Sequence, residues 1–475
     1  MLLDKTKIKK LFYFCIVLIK IIKKKMELRP YQSKAVEEIR EQYRQNKKST
    51  LLVLPTGGGK TIVFSYICKS AIDKNKKVLI LVHRDSLFKQ TSKTLQNFKV
   101  NHGLIGAGYT PNYLYTCQIG KIGSMINRMQ YFNPDLIIVD EAHHAVSPTY
   151  RKIIEHYNKA SILGVTATPC RTDGTGLGDV FNSIVIGSSI QELTDLGYLV
   201  RPRIFIPPNN LDLNRVKITA GDYNKKELEQ EMNKSTITGN AVEHYRMLCD
   251  GVPAVVFCVS VKHSIDVANE FKSAGYKAES IDGSMAQKDI DRILSDLACS
   301  RLQIVTSCDL ISEGTDIPNI GCAILLRPTQ SESLYLQQVG RALRTSAGKD
   351  SCIILDHVGN VLKHGHPLAD REWSLDGNTK KRKKKDTEPD LKFKVCKKCY
   401  FVFNDTKCPA CNTVVETKVR KLTKLDGLLV EMEKIEKKDL IRSAKSFQEL
   451  KLIEKKMGYK NGWAWHRWNA IKDKV

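Results

Sequence analysis

The stretch LPTGGGKT, Leu54 to Thr61, decides the reading of this chain. It fits the phosphate-binding pattern G-x-x-x-x-G-K-[ST], with Pro55 or Thr56 standing where the first glycine often sits. An apolar run, Leu51 to Leu54, predicts a strand before it, and Thr61 to Ile72 predicts a helix after it. In that setting Thr56, Gly57, Gly58 and Gly59 form a loop whose backbone N–H groups turn inward around phosphates, and the helix N-terminus adds its positive dipole end. Lys60 is expected to reach the β- and γ-phosphates, and the Thr61 hydroxyl to hold Mg²⁺. A glycine turn beside a stray lysine would show the same letters, so the reading needs a second half.

That half follows in the run Asp135 to His144, an apolar strand ending in Asp140 and Glu141 and trailed by Ala142, His143 and His144. A strand delivers its last carboxylate to the edge of a parallel sheet, where ligands bind. Asp140 is then placed for the Mg²⁺ shell, and Glu141 to orient and deprotonate an attacking water. An exposed acidic turn is the plain alternative. ATP is the expected nucleotide.

Together with the motifs around them, residues 28–344 resemble a superfamily 2 helicase core of the DEAD/DEAH-box group, nearest its type-III-restriction-like branch. Leu28-Arg29-Pro30-Tyr31-Gln32 resembles the adenine-reading motif, and Leu81 to Asp85 with Thr116 to Gln118 resemble two strand-grip motifs. Asp140 to His143 is similar to the box itself, and Thr166-Ala167-Thr168-Pro169 with Arg171 to the coupling motif. In a second lobe, Val256 to Ser260 and Ile304 to Thr306 resemble strands facing nucleic acid. Glu313-Gly314-Thr315-Asp316 and Gln337 to Arg344 resemble the last two motifs. The resemblance implies nucleotide contacts from Arg29, Gln32, Gly314 and Asp316, and a catalytic set of Lys60, Asp140, Glu141, Gln337, Arg341 and Arg344. Gln32 carries an amide able to pair with the N6/N7 edge of adenine. Arg341 and Arg344 are three apart, share a helix face, and suit two arginine fingers on a γ-phosphate.

The net charge of +25 points to a polyanionic partner, and +14 of it lies after Thr379 with +7 in the first 25 residues. Nucleic acid is the expected partner, DNA over RNA, with no stable membrane association. Fourteen cysteines without a secretory leader suit a reducing, cytoplasmic setting, or a nuclear one in a eukaryotic host. Residues 1–25 read as a basic, apolar N-terminal extension. Its apolar run, Leu11 to Ile22, is too short to span a bilayer; a membrane-surface helix is the minor alternative.

The expected fold is α/β: two tandem RecA-like parallel-sheet lobes, then a small zinc-binding module and a basic, mainly helical tail. The lobes are expected over 26–200 and 201–372, with a loose polar insertion at 207–235. A basic linker over 373–390 holds Lys380 to Lys385, and a tail over 416–475 follows the module at 391–415. In that module Cys396, Cys399, Cys408 and Cys411 form a C-x2-C, x8, C-x2-C array, which suits structural Zn²⁺ over a redox pair. Trp463, Trp465 and Trp468 stand among basic residues, and either pack a terminal helix or stack on bases. The leading function is an ATP-dependent helicase or translocase on DNA, in repair, recombination or replication. The alternatives are the motor subunit of a restriction system and a nucleic-acid sensor or scaffold with weak ATPase.

Overall fold

The computed structural model describes residues 27–171, 173–206, 213, 216–219, 221–232, 235–308, 319–377, 394–403, 405, 407–414, 447–457 and 462–472. The extension 1–25, the motif Glu313 to Asp316 and the lysine run 380–385 lie outside the described residues. No helix among the described residues is long and apolar enough to cross a membrane.

Short apolar runs with no polar alternation make strands that are buried on both faces, the signature of a parallel sheet covered by helices. The first lobe holds seven: β1 (Ser49–Val53), β2 (Val78–Val82), β3 (Gly103–Ile105), β4 (Cys117–Lys121), β5 (Leu136–Asp140), β6 (Ser161–Thr166) and β7 (Ser183–Ile186). They pair in parallel, in the order β3-β4-β2-β5-β6-β1-β7. β1, β2 and β5 are buried along their whole length. The ends of β1 and β5 therefore lie on one sheet edge, with only β6 between them.

The second lobe repeats the plan with β8 (Arg201–Phe205), β11 (Ala254–Phe257), β12 (Ala278–Ile281), β13 (Ile304–Ser307), β14 (Cys322–Leu325) and β15 (Ser351–Asp356). Their order is β12-β13-β11-β14-β15-β8, again all parallel. Two of these strands, β11 and β13, carry the runs that resemble strands facing nucleic acid. Phe257, Cys258, Val259, Ile304, Val305 and Thr306 are all buried, and Thr306 Oγ1 donates to Ser264 O at 2.7 Å. Their side chains build the core of the lobe. Gln118, in the first lobe, is likewise buried, donating to Asn112 O and Tyr115 O at 2.8 and 3.0 Å to fold the loop ahead of β4.

The polar insertion is more ordered than its composition suggests. Its described part forms a hairpin, β9 (Ile218–Thr219) with β10 (Asp222–Tyr223), and a helix, Lys225–Met232. Val216, Leu228 and Met232 are buried under it, three apolar residues in a stretch otherwise dominated by charge. Asp222 fastens the hairpin to the second lobe, accepting from Thr329 Oγ1 at 3.0 Å and Gln330 N at 2.6 Å. Its tip, Gly221, sits at φ +83° against the first lobe, and a Cβ there would lie 2.4 Å from Asp173 Cα.

Two crossings between lobes lie within the described residues. The first crossing is Gly197–Val200, where Val200 N donates to Leu343 O at 2.9 Å. The second runs back over residues 371–377, whose last part the sequence reading gives to a linker. Arg371 holds Glu332 at 2.7 Å, Trp373 packs against the two large apolar clusters, and Leu375 O accepts from Leu177 N and Gly178 N at 2.8 and 2.9 Å. Residues 373–377 are thus a strap on the first lobe.

Four cysteines and a two-strand ribbon, β16 (Lys394–Val395) with β17 (Val402–Phe403), form a small module beside β8. Ile206 N donates to Tyr400 O at 2.9 Å and the Phe205 and Phe401 rings meet edge-on at 5.2 Å, so the module covers the open edge of the second sheet. A separate unit, 416–475, contains the helices Phe447–Met457 and Trp463–Lys472. There Glu454 accepts from Ala464 N at 2.6 Å, and Trp468 lies 6.5 Å from the Phe447 ring while Trp465 is 56% exposed.

The strap has a direct test. A Cβ on Gly176 would lie 2.1 Å from Leu375 O and 2.4 Å from the Asp376 and Gly377 backbone, with no flexible side chain to give way. Gly176→Ala is expected to lift the strap and cost about 1–3 kcal/mol. A lower melting temperature together with faster amide exchange at Leu177 and Gly178 is the expected result; unchanged exchange there shows the strap is not held as described.

Candidate nucleotide site and cysteine centre

β1 ends at Val53, and the loop that follows turns on two glycines in the left-handed region, Gly57 at φ +84° and Gly59 at φ +82°. Gly59 is the N-cap of the helix Lys60–Ile72, so the first N–H groups of that helix point into the loop. The helix before β1, Pro30–Arg44, closes the loop from behind. Tyr31 Oη donates to Gly58 O at 2.9 Å, and Gln32 Nε2 approaches the same oxygen at 3.3 Å.

Gln32 is only 3% exposed, and its Oε1 accepts from Arg29 N at 2.9 Å. Its amide bonds the loop and its own helix start. The residues at this end of the cleft are Arg29 and Tyr198, with the guanidinium carbon 4.4 Å from the ring centroid. Tyr198 escapes sequence reading because it stands in the crossover, with no motif around it. An aromatic face backed by a cation is suited to stacking a flat heterocycle.

Asp140, 2% exposed, ends β5, and its Oδ1 accepts from Glu141 N at 2.9 Å. Burial, then the neighbouring Glu141 carboxylate, push Asp140 up to about 7 against the pull of Lys60. Glu141 itself sits at φ +48°, a conformation that non-glycine residues hold only under constraint and that clusters at functional sites. Its Oε1 lies 4.0 Å from Lys60 Nζ, and its buried Oε2 has no hydrogen-bond partner among the described residues, with His143 Nδ1 at 3.6 Å. Two buried carboxylates beside Lys60 offer hard oxygen donors at one end of the cleft. That donor set, with the Thr61 hydroxyl at the cleft wall, fits a divalent cation and the phosphates that carry it.

Arg341 and Arg344 come from the second lobe, on and just beyond the helix Glu332–Ala342. Ser331 caps that helix by accepting from Leu334 N at 3.3 Å. The helix seats on the phosphate loop with nothing between: a Cβ on Gly340 would lie 2.6 Å from Thr56 Cβ. The result is a cleft of about 420 Å³ lined at once by Arg29, Thr56, Gly57, Gly59, Lys60, Thr61, Asp140, Glu141, Tyr198, Arg341 and Arg344. Gln337 is buried one turn before Arg341 and does not line the cleft, and neither does Gly58. Gly314 and Asp316 lie outside the described residues.

A chain of polar contacts leaves the site. His143 Nδ1 lies 3.3 Å from Thr166 Oγ1, which donates to Thr168 O at 2.9 Å. The Thr168 hydroxyl then bonds that of Ser333, on the second-lobe helix that carries Arg341. Ser333 has no signature in the sequence. Arg171, by contrast, is exposed in the loop after Thr168, 3.7 Å from Asp173.

The cysteine array folds into one cluster. The sulfurs of Cys396, Cys399, Cys408 and Cys411 all lie within 4.8 Å of one another, with 3.5 Å between Cys396 and Cys411 and between Cys399 and Cys408. A tetrahedral centre with metal–sulfur bonds of about 2.3 Å sets its sulfurs about 3.8 Å apart, so the donors fit one. Lys398 N points at Cys396 Sγ at 3.4 Å, and the Thr413 hydroxyl and backbone hold the Cys411 thiol down to about 6. Both favour thiolate at those two sulfurs, whereas burial pushes the Cys399 and Cys408 thiols up. Cys396 and Cys408 are fully buried, Cys399 and Cys411 half-buried, closing the centre to solvent on one side.

Comparison with known proteins agrees with this geometry. Residues 25–171 match the family "Type III restriction enzyme, res subunit", and residues 242–346 match "Helicase conserved C-terminal domain". A 51.5 kDa protein of a Lactococcus phage is 33% identical over 83% of this chain and 84% of its own. A Saccharomyces cerevisiae protein provisionally named as the ATP-dependent helicase IRC3 is 32% identical over 72% of this chain; the chain spans 53% of that protein. Among solved structures, a fragment provisionally named as the HsdR subunit of a type I restriction enzyme from Vibrio vulnificus shares the fold. It has a TM-score of 0.57 and 22% identity, and covers 71% of this chain and 65% of its own. The chain belongs to the superfamily 2 helicases, nucleic-acid-dependent ATPases, in their type-III-restriction-like branch.

Proposed function

We propose that the chain hydrolyses ATP between its lobes and uses their closing and opening to translocate on DNA and separate its strands. The observation that carries this is the cleft, whose walls bring Lys60, Asp140 and Glu141 of one lobe against Arg341 and Arg344 of the other. The adenine stacks on Tyr198 beside Arg29, and the N–H groups of Gly57, Gly59 and Lys60 cradle the phosphates with the Lys60 ammonium. Mg²⁺ held at Thr61 and Asp140 supplies charge neutralisation at the phosphate oxygens when bound. Glu141 orients the attacking water and takes its proton at Oε2. Arg341 and Arg344 stabilise the charge that grows on the γ-phosphoryl oxygens, and do so only while the lobes are shut. Loss of the γ-phosphate removes the anion that both lobes grip. The contacts from His143 through Thr168 to Ser333 let the base and the finger helix respond together.

The likeness to a restriction enzyme subunit favours DNA over RNA as the track. It also favours a second reading, in which the chain is the motor of a restriction system and another chain supplies the nuclease. A scaffold with a vestigial site has no physical need of the full set. Zinc is the proposed occupant of the four cysteines, as a closed structural centre that keeps the module on the β8 edge. The lysines around it, Lys394, Lys397, Lys398 and Lys407, offer phosphate contacts.

Lys60→Ala is expected to weaken nucleotide binding and abolish turnover, and Glu141→Gln to keep binding and lose hydrolysis. Arg341→Ala and Arg344→Ala each lower turnover about 10³-fold with ATP affinity kept. Substantial turnover by purified Glu141→Gln protein removes the base assignment.

ATPase stimulation by single-stranded, forked and duplex DNA and by RNA, measured side by side, decides the track. DNA is expected to stimulate most, with affinity falling steeply as salt rises, by a slope near one per phosphate contact. Stronger stimulation by RNA overturns the DNA assignment.

Elemental analysis of protein purified without added metal is expected to find one zinc per chain, lost in Cys396→Ser and Cys411→Ser. Those variants should melt earlier, since the covered sheet edge opens, yet keep their basal ATPase rate. Zinc content equal to the parent in both refutes the centre.

A further inference from the structure

The helix that presents the two arginines ends in a contact for which the nucleotide reading has no use. Glu332–Ala342 leaves carbonyls at its C-terminus without intrahelical partners, as helices do. Lys349 meets them. Its ammonium donates to Ala342 O at 2.7 Å, to Arg344 O at 2.6 Å and to Ile320 O at 2.6 Å. Three acceptors match the three protons of an ammonium, and its charge faces the negative end of the helix dipole. The turn that brings the side chain back is built for it. Gly348 takes φ +74°, and Lys349 N donates to Ser346 O at 3.2 Å.

The Arg344 backbone is fixed from the other side as well. Leu343 O accepts from Val200 N, and Leu199 pairs with Arg344 across an antiparallel bridge, so the first crossing between lobes lies along this segment. The Arg344 side chain then runs over the phosphate loop, its Cγ 3.5 Å from where a Gly57 Cβ would stand. Ile320, the third acceptor, leads into β14. One ammonium thus joins the end of the finger helix, the finger's own peptide and the entry to a core strand.

We propose that Lys349 is a positioning residue for ATP turnover: its ammonium pins the main chain of Arg344 so that the guanidinium reaches the γ-phosphate end of the cleft. The assignment rests on the reading of Arg344 as a finger. Partial burial pushes Lys349 down to about 8, with the Cys352 thiol and Arg344 as the titratable and charged groups facing it. Cys352 is itself pushed up to about 12 by burial and stays neutral, so near pH 7 the ammonium carries its charge and all three protons.

The test is a double-mutant cycle on the full chain. ATP turnover, KM for ATP and melting temperature are measured for Lys349→Met, Arg344→Ala and the pair, with saturating DNA. Lys349→Met is expected to lower kcat roughly 10²-fold, the size of effect a misplaced catalytic group produces, with KM little changed. The pair should be no slower than Arg344→Ala alone, because nothing remains to position. A loss that multiplies in the pair, or full turnover by Lys349→Met, overturns the proposal and leaves the finger reading intact. Full turnover by Arg344→Ala overturns both. An arm that needs no change at 349 guards against misfolding. As pH rises through about 8 the ammonium gives up a proton, so wild-type kcat should fall there, whereas Arg344→Ala protein should stay flat. A limb of equal size in the two proteins, or none in wild type, counts against Lys349.

Discussion

Everything at the nucleotide site depends on one steric fact: the finger helix lies so close to the phosphate loop that Gly340 has no room for a Cβ against Thr56. Were the helix an ångström or two further off, Arg341 and Arg344 would face solvent instead of the space above Lys60. Burial then does the electrostatic work. The cleft wall takes Asp140 out of water, where neighbouring charges act through a lower dielectric and the Glu141 carboxylate raises the cost of ionising it.

The same packing sets a run of hydroxyls between the acidic pair and the second lobe. Thr166 ends β6, the strand between those that carry the phosphate loop and the acidic pair, so it touches the environment of both. Its neighbour Thr168 reaches the second lobe through Ser333. A shift of Glu141 or His143 on hydrolysis therefore has a short route to the helix that bears the fingers, through hydroxyls that can swap donor and acceptor roles without moving far.

Much of this was legible in the sequence because the informative residues are of scarce types in fixed spacing. Glycines in LPTGGGKT, two acids after a five-residue apolar strand, and paired C-x2-C each specify a local geometry with few alternatives. What stayed hidden falls into two physical kinds. Lys349, Ser333 and Tyr198 matter through where the backbone carries them, and a single lysine, serine or tyrosine has no pattern to read. Gln32 and Gln118 had the opposite fate: their amides suit a ligand, but the fold uses them on nearby main chain. Composition misled at the insertion, where Val216, Leu228 and Met232 are enough to seat a mostly charged segment. It also misled at the start of the basic linker, because Trp373 and Leu375 dock before the lysines begin.

The strap over residues 371–377 changes the kinematics of the motor. Two bodies joined by one flexible peptide can tilt, swivel and slide with respect to each other, and only their ligands restrain them. Two bodies fastened at separate points keep a single easy rotation, about the line through the fastenings, as a door does on a pair of hinges. Closure over a nucleotide would then follow one repeatable arc in every cycle. The amplitude of that arc would depend on where Leu375 is tied.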